Sequence, residues 1–324
     1  MRSYWIQANG TETALEARDI PHPEPGPGQL LLRMRAAGLN RGELIGGHGL
    51  TAAGKAKPLG IEGAGEVVKS GPGVSGFGPG DRLMGRIIGA FSEYALMDAC
   101  DAIPVPRRLS WEEAAATPIA FMVVHDMLVA QGQLKAGEWL LVLGVTSGVG
   151  VAALQAGKAL GAKVIGTSGS QAKLDTLKGL GLDLGLCTRR GDFSGAVMEA
   201  TGKRGADLCV NTVGGTLFPE AIRALGFQGR MAIVGYVDGA LKSEIDLDAV
   251  HAKRLRIYGV SNKLRNAEQR CESVLGFIET FLPAVADGRI RPLVDRVFDL
   301  ADLPAAKAWM ESNAHAGKIV VRIP

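Results

Sequence analysis

The residues whose spacing most directly suggests chemistry are Ser147, Gly148, Val149, Gly150, Val151, Ala152 and Ala153, which read G-x-G-x-x-A from Gly148 onward. Glycines so placed let backbone approach a pyrophosphate and let a helix pack closely on a strand. The helix N-terminus then faces the anion with free N–H groups and a positive dipole end. The motif is weak alone and gains weight from its context. Residues 139–143, WLLVL, form an apolar run of strand length. Residues 151–160 carry apolar side chains at helical spacing, and a second strand starts at 163–166. Strand, tight turn, helix and strand within about thirty residues is the size of a βαβ crossover. The competing reading is a Gly-rich turn that holds no ligand.

The element following this unit bears on the kind of dinucleotide. A site that selects NAD usually ends its second strand with an acid for the ribose 2′-OH. Here that place holds Thr167, Ser168, Gly169 and Ser170, and the next acid is Asp175. An uncharged pocket does not repel a 2′-phosphate, and Lys173, Arg189 and Arg190 are available to attract one. For Lys173 the alternative is a solvated helix face. Thr146 joins the turn itself. Asn211 and Gly214, in NTVG, and Gly235 with Tyr236 close later strands, where backbone should pass the nicotinamide ribose. Asn262 and Lys263 follow the last of these strands, either to reach the cofactor or as a hinge loop.

Three regimes position these residues. Residues 1–118 are rich in Gly and Pro, with short alternating runs at 30–36, 65–69, 81–84 and 92–97, the pattern of a β-rich domain. Residues 119–260 alternate strand and helix. After the opening unit come a helix at 172–180, a strand at 184–187, a helix at 193–201, a strand at 207–213, a helix at 217–225, and strands at 230–234 and 256–260. Near-continuous apolar strands between helices predict a parallel sheet covered on both faces. Residues 261–324 predict a helix over 267–287, a strand at 296–298, a helix at 303–312 and a strand at 318–323, a tail that returns to complete the first domain.

Composition excludes several classes. An apolar content of 47% with 21% charged residues is that of a globular protein with a large core. A net charge of +3 without basic runs interleaved with aromatics argues against a nucleic-acid partner. No apolar stretch is long enough for a membrane span, and MRSYWIQANG lacks the apolar segment of a signal peptide. Cys100, Cys187, Cys209 and Cys271 lie far apart and in no metal-ligand spacing, which predicts reduced, buried thiols in a cytoplasmic protein.

Several segments occur in one order: GLNRGELIGGHG, PLGIEGAGEVV, GPGVSGFGPGDRL, TSGVGVAALQAGKALGAKVIGT and a terminal GKIVV. Together they resemble the medium-chain dehydrogenase/reductase superfamily, in its zinc-independent quinone oxidoreductase branch, over essentially the full length. The resemblance implies a Rossmann-type doubly wound parallel sheet inserted into a GroES-like β-rich catalytic domain, with the active site in the cleft between them. It also implies NADP(H) as cofactor, since Lys173 matches a lysine that contacts the 2′-phosphate in that branch. The family's Tyr is replaced by Thr188, which removes an adenine contact.

Zinc members of the superfamily place Cys and His ligands at positions held here by Asn40 and Ile61, with Glu62 remaining. A catalytic zinc needs about three N, S or carboxylate ligands, which these residues do not supply. His48 and His125 are read as ordinary polar or packed histidines. Without a Lewis acid, reduction of a conjugated acceptor is favoured over alcohol oxidation. Asn40, in the vacated slot, is the leading polar candidate to donate to the acceptor's oxygen, and Tyr94 is a second candidate acid. Phe121, Met122 and Val123 make an apolar wall that suits a hydrophobic substrate or fills core. The leading expectation is an NADPH-dependent reductase of quinones or α,β-unsaturated carbonyls acting on a small hydrophobic substrate. The alternatives are a zinc-free alcohol or polyketide-type dehydrogenase and a non-catalytic, crystallin-like NADPH binder. Edge-strand pairing through residues 256–260 predicts a homodimer.

Overall fold

The computed structural model describes residues 1–9, 12–44 and 55–324. In chain order the strands are β1 (Arg2–Asn9), β2 (Glu12–Asp19), β3 (Gln29–Gly38), β4 (Lys57–Pro58), β5 (Glu62–Ser70), β6 (Arg82–Arg86), β7 (Tyr94–Asp98) and β8 (Ala102–Pro104). Next come β9 (Trp139–Leu143), β10 (Lys163–Ser168), β11 (Leu184–Cys187), β12 (Ala206–Asn211), β13 (Leu225–Ile233), β14 (Arg256–Gly259), β15 (Val294–Asp299) and β16 (Lys318–Arg322). The chain forms two compact units. One comprises Met1–Ala120, Arg265–Ala286 and Arg291–Pro324, and the other Phe121–Leu264 and Asp287–Ile290.

The first unit is built on a sheet ordered β15-β16-β3-β5-β6-β8, with β7 also pairing β3, and a smaller sheet β2-β1-β4. Strand β3, QLLLRMRAAG, is almost continuously apolar because it lies inside the sheet, and Leu30, Leu32, Met34 and Ala36 are fully buried. The chain's last strand, β16, enters between β15, to which it is parallel, and β3, to which it is antiparallel, with Val320 opposite Gly38. Gly38 has to be glycine. A Cβ there would lie 2.6 Å from the Ala115 carbonyl and 2.8 Å from Glu62 Oε1.

The second unit carries a six-stranded sheet ordered β11-β10-β9-β12-β13-β14, with every pairing parallel. The order reverses between β9 and β12, the switch point where sheets of this topology bind dinucleotides. Residues Leu140, Leu141, Val142 and Leu143 of β9 are fully buried, as expected of a strand covered on both faces. The α/β class and parallel sheet read from the sequence are therefore present.

Two expectations need correction. The helix expected over 267–287 is two helices, Ala267–Thr280 and Leu282–Asp287. Pro283 explains the break, since it has no N–H to continue the ladder and its ring clashes with the preceding turn. The cysteines are not four separate buried thiols. Cys100 and Cys271 form a disulfide with Cα atoms 5.3 Å apart, while Cys187 is exposed and Cys209 buried. Sequence reading also passed over the β1–β2 hairpin and the helix Leu247–Lys253.

Candidate functional site

Two constellations carry the sequence-derived candidates, one in each unit. In the second unit, β9 runs into a turn and then the helix Gly148–Ala159. Gly144 opens the turn with φ +72°, and a Cβ there would lie 2.6 Å from Thr212 Oγ1. Ser147 caps the helix, its Oγ accepting from the Gly150 amide at 3.1 Å. The amides of Gly148 and Val149, first in the helix, have no intrahelical acceptor and face out of its positive end. Ser168 ends β10 beside this turn, its Oγ 3.3 Å from Thr146 Oγ1 and accepting from the Ser170 amide.

The end of β10 holds no acid. The Arg189 side chain, from the segment after β11, lies across Gly169 so closely that a Cβ at Gly169 would collide with it. Lys173 lies half-buried in the first turn of the helix Gln171–Leu177, which Ser170 caps. Thr188 Oγ1 bonds Asp192 at 2.6 Å and accepts from the Arg190 amide, so it shapes the loop that carries Arg189. Asn211, at the end of β12, is fully engaged in its own turn. Its Oδ1 accepts from the Val213 and Gly214 amides, and its Nδ2 donates to the Gly214 carbonyl. Gly235 and Tyr236 follow β13, where the Gly235 amide donates to the Asn211 carbonyl at 3.4 Å. Asn262 and Lys263 are exposed.

In the first unit, Asn40 sits at the end of β3 in a cluster of polar side chains. Its Nδ2 donates to Glu62 Oε1 at 2.9 Å and to Glu43 Oε1 at 3.2 Å. Its Oδ1 accepts from Lys318 Nζ at 2.9 Å. Lys318 also donates to the Leu39 carbonyl at 2.9 Å and contacts Glu62 Oε1 directly as an ion pair. Glu62 Oε2 accepts from the Ile119 amide at 2.9 Å. Glu62 is fully buried, and Lys318 and Glu43 nearly so. Breaking a buried pair by removing one partner costs about 3–5 kcal/mol, because the other charge is left stranded.

The Lys318 ammonium pairs with Glu62 and acts on Glu43 only through its charge. Burial pushes the Glu43 carboxyl up to about 8, the Asn40 hydrogen bond and the Lys318 charge opposing that rise and the Glu62 charge adding to it. Burial thus favours the protonated form of Glu43, which sits beside the Lys318–Glu62 ion pair. Such a set does not suit zinc. Ile61 has no ligand atom, both Glu62 oxygens are engaged, and the Asn40 amide is taken up by Glu43, Glu62 and Lys318. Among the described residues, no group of His, Cys, Asp and Glu could hold a metal ion. His48 lies outside the described residues, and His125 is half-buried at the end of the helix Pro118–His125.

Tyr94 does not join this cluster. It lies on β7 with its ring 4.6 Å from that of His22, and it lines a cavity of about 360 Å³ with Met1, Ile20, Arg86 and Asp101. None of Asn40, Glu43, Glu62 or Lys318 lines that cavity. Phe121 and Met122 are core residues, 2% and 6% exposed, whereas Val123 is half-buried. Sequence reasoning missed Glu43 and Lys318. The available signal was Lys318 directly before the apolar run Ile319–Val321, since a charge buried beside such a run requires a partner.

Residues 26–107 match the alcohol dehydrogenase GroES-like domain, and residues 148–280 match the zinc-binding dehydrogenase family. A polyketide synthase system protein from Streptomyces orinoci, named for spectinabilin, is 33% identical over 92% of this chain and 13% of its own length. The chain spans only between 5% and 15% of the first curated relatives it matches. A mycobacterial protein solved in complex with NADPH superposes with a TM-score of 0.89 at 26% identity, covering 99% of both chains. A quinone oxidoreductase of Pseudomonas syringae pv. Tomato DC3000 gives 0.87 at 26% over the whole of both chains. An NAD-dependent alcohol dehydrogenase gives 0.83 at 31%, again over both whole chains.

Proposed function

The chain belongs to the medium-chain dehydrogenase/reductase superfamily, and from that premise we propose that it is an NADPH-dependent reductase of quinones or α,β-unsaturated carbonyls that works without zinc. The observation that carries the reading is the end of β10, acid-free and covered by Arg189 beside the open helix N-terminus at Gly148. Those residues fit a dinucleotide bearing a 2′-phosphate. The amides of Gly148 and Val149 would hold the pyrophosphate, with Thr146 and Ser147 beside them. Ser168, Lys173 and Arg189 would hold the 2′-phosphate, since a guanidinium and an ammonium bind phosphate by charge-assisted hydrogen bonds. Asn211 shapes the turn through Gly214, and Gly235 and Tyr236 supply the neighbouring backbone. Bound NADPH supplies the hydride.

Asn40 is the polar group assigned to the acceptor's oxygen, which gains negative charge as reduction proceeds. Donation requires it to release one of its two carboxyl partners. Glu43 is the one to yield, because its bond is the longer and burial raises its carboxyl toward the neutral form. The relationship to polyketide synthases favours a second form of the same reading, an unsaturated thioester or ketone as acceptor rather than a quinone.

The test is NADPH consumption with a panel of a benzoquinone, a crotonyl thioester, an enone and a saturated aldehyde. Turnover with the conjugated acceptors and none with the aldehyde is the expected result. Turnover only with the aldehyde, or with nothing above the enzyme-free rate, rejects the reading.

A further inference from the structure

The terminal GKIVV segment contributes Lys318 to the polar cluster, and the assignment above gives that lysine no task. Its geometry does. An asparagine amide has two edges of nearly equal shape, one carrying only acceptors and one only donors. Nothing about its volume decides which way it points. A lysine ammonium only donates, so it accepts just one of the two orientations. An ionised carboxylate only accepts, and imposes the complementary constraint from the other side.

We propose that Lys318 is the positioning residue for Asn40, clamping the side-chain amide against Glu62 so that its N–H edge cannot turn away. Lys318 Nζ meets Asn40 Oδ1 at 2.9 Å and Glu62 takes an Nδ2 hydrogen at 2.9 Å, so the two hold the amide from opposite edges. Lys318 is itself fixed, since its other donors go to the Leu39 carbonyl and to Glu62. Glu62 is fixed by the Ile119 amide. The bond to Glu43, at 3.2 Å, is the looser one. One N–H is thus held by Glu62, and the other, on the longer bond to Glu43, is the exchangeable one. The inference rests on the reading that Asn40 meets the acceptor.

Lys318→Met alone strands the Glu62 charge and risks misfolding, so the test uses the neutral pair Lys318→Met with Glu62→Gln. The amide introduced by Glu62→Gln retains an acceptor but also donates. The thioether introduced by Lys318→Met imposes no orientation, so the Asn40 amide is free to flip. With Asn40 in place the pair should lower kcat about tenfold, leaving KM and NADPH affinity within twofold. In an Asn40→Ala background the same pair should change kcat by less than twofold, because the clamp has nothing left to position. An equal fall in both backgrounds, or no fall in either, overturns the proposal.

A second readout needs no turnover. With asparagine labelled at nitrogen, the Asn40 side-chain signals are identified by their loss in Asn40→Ala. They should be two resolved, slowly exchanging protons in the unaltered protein and should shift and exchange faster in the pair variant. Unchanged signals overturn the clamp. If the unaltered enzyme reduces no acceptor at all, the functional reading fails, and these signals still decide the positioning.

Discussion

Replacing Glu43 by glutamine should remove a pH dependence of stability that the fold builds into the first unit. Raising a carboxyl from 4.5 to about 8 by burial corresponds to roughly 5 kcal/mol, at about 1.36 kcal/mol per decade of proton activity. The folded protein keeps the Glu43 proton up to about pH 8, whereas the unfolded chain releases it near 4.5. Between those values the folded state binds more protons, so stability falls as pH rises. The contribution of neutral Glu43 is full below 4.5 and is lost by the time pH has passed through 8. The amide introduced by Glu43→Gln has no proton to lose and keeps the hydrogen-bond acceptor that Asn40 needs. Ionisable groups that do not interact with Glu43 are common to both proteins and cancel in the difference.

From pH 5 to pH 8, the stability of Glu43→Gln should gain roughly 3 kcal/mol on that of the parent. Urea unfolding followed by tryptophan fluorescence measures it. Trp5, Trp111 and Trp309 belong to the first unit and Trp139 to the second, so a Trp139→Phe background makes the signal specific. Two curves that stay parallel across this pH range would refute the reasoning, because they would mean Glu43 is ionised in the folded protein.

Lys173→Ala should weaken NADPH binding by about 1.5–3 kcal/mol while leaving NADH nearly unchanged; equal weakening in a titration of both cofactors would make Lys173 a packing residue. Denatured without reductant, the protein should show only the thiols of Cys187 and Cys209, with Cys100 and Cys271 appearing after reduction; finding all of them at the start would reject the disulfide. Among the described residues no strand pairs with the outer edge of β14, and Phe227, Leu241 and Leu247 are 65%, 70% and 71% exposed. Light scattering at micromolar concentration should therefore give about twice the 33.9 kDa chain mass, and a monomer would count against pairing through this unit.

What could be read in the sequence follows the range of the forces involved. The β9–turn–helix–β10 unit was legible because its strand run, its turn glycines and its helical spacing lie within one short segment. Strand ends at Leu184–Cys187 and Arg256–Gly259 came within a residue of expectation for the same reason. The meeting of Asn40 with Lys318, 278 residues apart, was not legible, because it depends on where β16 inserts in a sheet. The disulfide spans 171 residues and was hidden likewise. Asn40 was singled out by its slot, but its carboxyl partners come from a four-residue helix and the start of β5, which no local pattern joins.

The interior position of β16 also has a consequence for biosynthesis. All of Phe121–Leu264 is translated before Lys318–Arg322. The second unit's parallel sheet can therefore assemble while the first unit still lacks the strand that β3 needs on its open side. During that interval the β3 edge at Ala36, Ala37 and Gly38 offers unsatisfied amides and carbonyls to any neighbouring chain, and Glu62 waits without its ammonium. Any slowing of the ribosome within the second unit prolongs this exposure. Substitutions there that leave the mature protein unchanged can then still lower its yield, by aggregation nucleated in the first unit.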